Sequence, residues 1–190
     1  MNTGPTPPRS RQSRTPAVVL VAVLFAGAAV SLTLGLLGAA LGEPRSLPTW
    51  GFSSVQTFKA WLAGAVLVLV LAQLVTALSI YQKLPGRRPA PRWAHLLHRI
   101  TGTAAFLAGL PVAFYCLYGF GFDATTPRTL MHSLAGCLFY GAFTTKMLAL
   151  RGKRLPRLVL PLAGGATFTL FVLAWTLGAA WWFRQTGLTT

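Results

Sequence analysis

From Ala17 to Leu41 the chain carries no charged residue, a run long enough for one helix to cross a hydrocarbon core of about 30 Å. Four further apolar stretches follow, about residues 59–82, 93–120, 128–150 and 158–183. Inside lipid no water satisfies peptide groups, so stretches of this kind are confined to helices. The expected fold is therefore an all-α polytopic membrane bundle of five transmembrane helices. Charged residues make up 10% of the chain, against about 25% in a soluble domain. Residues 1–16, MNTGPTPPRSRQSRTP, are polar, basic and proline-rich, the composition of a disordered tail. Residues 17–190 form a single membrane domain. The basic start and the small residues Gly38, Ala39 and Ala40 also permit a cleaved signal peptide. A signal core of about 7–15 residues is shorter than this run, which favours a retained first helix.

A formal charge of +15 invites a nucleic-acid reading, but the charges lie in short clusters between apolar runs. Loops this short house no RNA- or DNA-binding module. Arg9, Arg11 and Arg14 precede the first helix; Lys83, Arg87, Arg88 and Arg92 follow the second; Arg151, Lys153, Arg154 and Arg157 follow the fourth. These all fall on one side of a five-helix chain. The other side holds Arg45, Lys59, Arg128 and Arg184 with both acidic residues, Glu43 and Asp123. The positive-inside rule then puts the N-terminus in the cytoplasm and the C-terminus outside, in a bacterial inner (plasma) membrane.

Small and polar residues mark the helix contacts. Gly27, Ser31 and Gly35 on the first helix, and Ser133, Cys137 and Gly141 on the fourth, form stripes that admit a close neighbour. Gln73, Thr76 and Ser79 share one face of the second helix and are expected to hydrogen-bond across it. Pro111 removes a backbone donor inside the third helix and predicts a kink. Trp181, Trp182 and Phe183 read as an interfacial belt, and Lys146 as a side chain snorkelling to headgroups. Two cysteines supply no disulfide framework and no metal spacing.

The chemistry gathers between His95 and Met147, which hold all three histidines and both cysteines. HRITGTAAF from His98 and HSLAGCLFY from His132 share a histidine, a glycine four residues on and an aromatic ninth residue. Histidine in a bilayer faces protein, a cavity or a cofactor. Haem iron takes a ring nitrogen as axial ligand, and a glycine at i+4 lies on the same helix face. His98 with Gly102 and His132 with Gly136 are thus candidate haem b sites, with Arg99 and Arg128 as propionate partners. An antiparallel hairpin turning near residue 123 separates the two histidines in depth, so they do not clamp one haem. Tyr115, opposite His132 in that register, is one candidate for the missing ligand. A second copy across a two-fold axis is another, and an open axial position is the third.

The segments HRITGTAAFLAGLPVAFYCLYGFGF, RTLMHSLAGCLFYGAFTTKMLALR and LPRLVLPLAGG resemble a family of small, uncharacterised bacterial membrane proteins over roughly residues 93–183. In looser outline the chain is similar to transmembrane di-haem b-type cytochromes and ferric-reductase-like proteins, whose ligands are single histidines near the ends of successive helices. His98 and His132 match that pattern; the second and fifth helices supply no histidine, unlike the di-haem proteins. The closer resemblance implies a histidine at the position of Tyr115, so the outer site here would have exchanged a ligand for a phenol or lost one. The resemblance implies electron transfer without substrate chemistry, a quinol or redox-protein partner and a possible homodimer. A cofactor-free structural or assembly subunit stays open beside it. A transporter is disfavoured, because both carboxylates lie in loops rather than at mid-membrane.

Overall fold

The computed structural model describes residues 16–41, 45–85, 90–152 and 155–190. Residues 1–15 of the expected tail 1–16, Glu43 and the basic residues Arg87, Arg88, Lys153 and Arg154 lie outside them, while Pro16 opens the first helix. The described residues are helical without strands. The helices are α1 (Pro16–Leu41), α2 (Val55–Ile80), α3 (Arg92–Phe114), α4 (Pro127–Arg151), α5 (Val159–Trp175) and the short α6 (Trp181–Thr186). Two π-helical turns interrupt the pattern: Tyr115–Phe120 extends α3, and Thr176–Ala180 joins α5 to α6. Five continuous helical runs are long and apolar enough to cross a membrane, giving a multi-pass, membrane-embedded architecture.

Helix ends follow local chemistry. α2 starts at Val55, four residues before the sequence expectation, because the Ser54 hydroxyl accepts from the Thr57 N–H at 3.1 Å. α4 opens on a capping box in which Thr126 and Thr129 bond reciprocally, with Pro127 in the first turn. Pro111 lies inside α3, and the first π turn begins four residues later, where the Tyr115 N–H reaches both Pro111 and Val112 carbonyls. The proline removes the hydrogen bond to the carbonyl four residues before it and crowds that preceding turn; the π turn lies on its other side.

The closest backbone packing joins α1 to α4, α4 to α5 and α2 to α3. The two small-residue stripes meet each other. A Cβ on Gly27 would lie 2.7 Å from the Gly141 carbonyl oxygen, and one on Gly141 would lie 2.5 Å from that of Gly27, with Ser31 beside it. α3 and α4, although consecutive, approach through long side chains. Phe106 stacks on Phe143 with centroids 4.8 Å apart, and the Tyr140 hydroxyl donates to the Gly109 carbonyl at 3.1 Å.

The buried residues are small ones, such as Ala60, Ala63, Ala94, Ala135 and Thr167, while Phe25 (74% exposed) and Leu162 (69%) face outward. This inversion of the soluble pattern follows when lipid is the solvent, because packing rather than hydrophobicity then selects the interface.

Candidate functional site

Arg92 and Arg151 mark one end of the bundle, called here the basic end; Trp50, Asp123 and Trp181 mark the far end. The histidines divide between them. His98 sits on the first turns of α3 at the basic end, and His132 on the first turns of α4 at the far end. About 27 Å of helix separates His98 from Cys116, the α3 residue that faces His132.

At the basic end, Gln73 and Thr76 of α2 bond to α3, as their shared face predicts. The Gln73 amide donates to the His98 carbonyl and to the Thr101 hydroxyl, each at 2.5 Å. The Thr76 hydroxyl spends its proton on the Ala72 carbonyl at 2.7 Å, so its oxygen accepts from His98 Nδ1–H at 2.8 Å. That assigns the proton of neutral His98 to Nδ1 and the lone pair to Nε2. The space beside Gly102 is not free: a Cβ there would lie 3.0 Å from the Gln73 carboxamide oxygen. Arg99 and His95 are exposed. The sequence-expected porphyrin bed at Gly102 is thus filled by the glutamine that ties α2 to α3.

At the far end, the His132 ring lies between α4 and the two π turns. Its Nδ1 is 2.9 Å from the Ala174 carbonyl oxygen of α5. A carbonyl only accepts, so Nδ1 carries the hydrogen and Nε2 the lone pair. The ring is seated against Gly178 of the second π turn, where a Cβ would stand 2.7 Å from His132 Cε1. Across from Nε2, at 4.0 Å, is the Cys116 sulfur on the first π turn. Gly136, one turn along α4, has open space where a Cβ would point, with nothing within 4 Å.

Tyr115 occupies a different direction from the one its sequence position suggests. Its hydroxyl donates to the Pro48 carbonyl at 2.8 Å and accepts from Trp50 Nε1 at 2.8 Å. The π turn brings the next residue, Cys116, to His132 instead. Arg128 donates to the Leu177 carbonyl at 2.7 Å and stacks its guanidinium 3.7 Å from the Trp181 ring centroid. Lys59 of α2 lies over the Phe120 ring, 4.3 Å from its centroid. In the same half of the bundle, Trp175 packs on the cluster of Ala60, Ala63 and Ala179, and its indole N–H is buried without a hydrogen-bond partner among the described residues.

Beyond the spans, the Thr125 hydroxyl and backbone N–H hold the Asp123 carboxyl below the ordinary carboxylate range, at 2.7 and 2.8 Å. This carboxylate orders the turn between the first π turn and α4 and makes no contact with the histidine. Among the described residues no three histidine, cysteine, aspartate or glutamate side chains converge as a cation site.

The structure therefore brings His132, Cys116 and Gly178 together, keeps His98 apart, and commits Tyr115 to the loop before α2. Sequence reasoning left out Cys116 and Gly178. Cys116 is adjacent to a residue that drew attention, and of the two residues it is the one beside His132. Gly178 appears in the sequence only as one small residue among several in TLGAA.

No curated protein and no solved structure matches the chain. The match to a family covers residues 19–190, all but the basic tail and the first residues of α1, and the chain belongs to DUF6529, a family of unknown function.

Proposed function

We propose that this protein is a b-type cytochrome-like electron-transfer component, with haem held at the far-end centre on His132. The observation that carries the reading is the anchoring of His132 Nδ1 on the Ala174 carbonyl at 2.9 Å. Metal-binding histidines commonly donate the second ring N–H to a carbonyl or carboxylate, which fixes the ring and leaves the other nitrogen as ligand. Three further features fit a haem at this end. The Nε2 lone pair faces no backbone N–H, only the weakly donating Cys116 thiol at 4.0 Å. The space at Gly136 is open. A buried indole N–H on Trp175 lacks an acceptor, and such orphans ask for an explanation.

The basic end supports the reading less. His98 presents an Nε2 lone pair, but its glycine bed is occupied by Gln73, so we assign one haem and place it on His132. Bound haem supplies one-electron transfer, its potential set by the axial ligands and the low-dielectric surroundings. The chain's own residues orient and enclose. Ala174 holds the tautomer of His132, Gly178 leaves the ring its seat, and Arg128 pins the second π turn through Leu177. A quinol or a redox protein meets the far end, and a two-fold homodimer remains compatible with so many outward apolar residues.

A cofactor-free structural subunit is the competing reading, favoured by the same His132–Ala174 bond taken as a plain strap between α4 and α5. Haem content of the purified protein separates the two. Expressed with ample haem precursor, the wild type and His98→Ala should carry haem and His132→Ala should not. Equal haem in all three, or none in the folded wild type, overturns the assignment.

A further inference from the structure

Cations at the two ends of the bundle are placed differently. At the far end the protein occupies them itself: Arg45 lies over the Tyr118 ring, Lys59 over Phe120, and Arg128 on Trp181 and the Leu177 carbonyl. At the basic end Arg92, His95 and Arg99 stand on α3 at i, i+3 and i+7, a single helix face, and all three are exposed. The opposite face of α3 is the one laid on α2, where Ala94 is buried and Gln73 and Thr76 bond to Thr101 and His98. Asp123, the one acidic side chain among the described residues, is at the far end, and Glu43 follows α1 in the sequence. No carboxylate among the described residues neutralises the stripe. Arg92 also occupies the first turn of α3, where the helix dipole favours an anion over a cation, and Pro91 offers no side-chain cap.

We propose that this face of α3 binds an anionic phospholipid, with the phosphate on Arg92, His95 and Arg99 and an acyl chain laid along the helix. The depth suits a headgroup. α3 with its π turn runs for 29 residues, roughly 43 Å as helix, against a hydrocarbon core of about 30 Å. Its first two turns, which carry the stripe over about 10 Å of axis, therefore fit in the headgroup layer. Beside the stripe Leu96, Ile100 and Leu107, at i, i+4 and i+11, are exposed and run toward the middle of the span. They give an acyl chain an aliphatic strip that a free phosphate would not use. Trp93, exposed next to Arg92, is a residue type that settles at headgroup level. The two guanidinium groups match phosphate oxygens in charge and in hydrogen-bond geometry. Binding here needs no haem and does not involve His132.

The test is native mass spectrometry of the full chain, released from detergent micelles that contain equimolar phosphatidylglycerol and phosphatidylcholine. The wild type should retain phosphatidylglycerol in preference. One Lys or Arg near an anionic membrane surface strengthens attraction about fivefold, so the preference should fall at least about fivefold in Arg92→Gln/Arg99→Gln. It should be unchanged in Arg184→Gln, which removes an exposed cation from the far end. No preference in the wild type, or an equal loss in Arg184→Gln, overturns the proposal. Inorganic phosphate should not displace the lipid; displacement would make a free anion the ligand and overturn it too. If the double variant does not fold, quenching by brominated lipids decides. Brominated phosphatidylglycerol should quench wild-type tryptophan emission more than brominated phosphatidylcholine, and that difference should vanish in Trp93→Phe. The same difference in Trp93→Phe as in the wild type overturns the site on α3.

Discussion

Thr76 and the Ala174 carbonyl each settle which nitrogen of a histidine carries the proton, and neither contact is local in sequence. Thr76 is 22 residues before His98, and Ala174 is 42 residues after His132. The two histidines therefore look alike in their helical context, HxxxG, and differ in what other helices do around them. Gln73 makes the basic-end site a strap. Replacing it with leucine removes two hydrogen bonds to α3, and interhelical bonds of this kind in membranes contribute about 0.6–2 kcal/mol. Gln73→Leu should lower resistance to denaturing detergent by an amount in that range while leaving any haem in place. Gly178 makes the opposite case. A valine there would press on the His132 ring, so Gly178→Val should abolish haem binding though it alters no donor. Gly164→Ala, with nothing within 4 Å of its Cβ, should leave it unchanged.

At the scale of elements, the four-residue period of Gly27, Ser31 and Gly35 made a close helix contact legible in advance, and so did Ser133, Cys137 and Gly141. That these two stripes are partners was not legible, because period specifies a face and never names its neighbour. Gly27→Leu should separate α1 from α4 at a cost of about 1–3 kcal/mol, the usual range for overpacking, read in the same detergent titration. The helices themselves were readable from uncharged runs, and the proline signalled an irregularity in α3. Its form as a π turn over Tyr115–Phe120, with Cys116 beside His132 and Tyr115 turned to the loop before α2, is encoded by no pattern of apolar residues.

Over the whole molecule, buried alanines, glycines and threonines inside and large aliphatics outside are what a bundle dissolved in lipid requires. Composition alone carried that much. From the charge asymmetry we propose an orientation. With eleven basic residues before α1, at the turn from α2 into α3 and at the turn from α4 into α5, a reporter active only outside the cytoplasm should be active when fused after Thr190, and a cytoplasm-active reporter at that position silent. The reverse pattern would invert the assignment of the basic end to the cytoplasm. Of function, only a pair of histidines in apolar helices was legible in the sequence; the proposal that haem sits on His132 rests on the bond of its Nδ1 to the Ala174 carbonyl.

The most direct measurement of that claim is a reduced-minus-oxidised visible spectrum of the purified, folded protein. A Soret band that shifts on reduction and disappears in His132→Ala is the predicted result. A well-folded protein that stays colourless after expression with ample haem would contradict it.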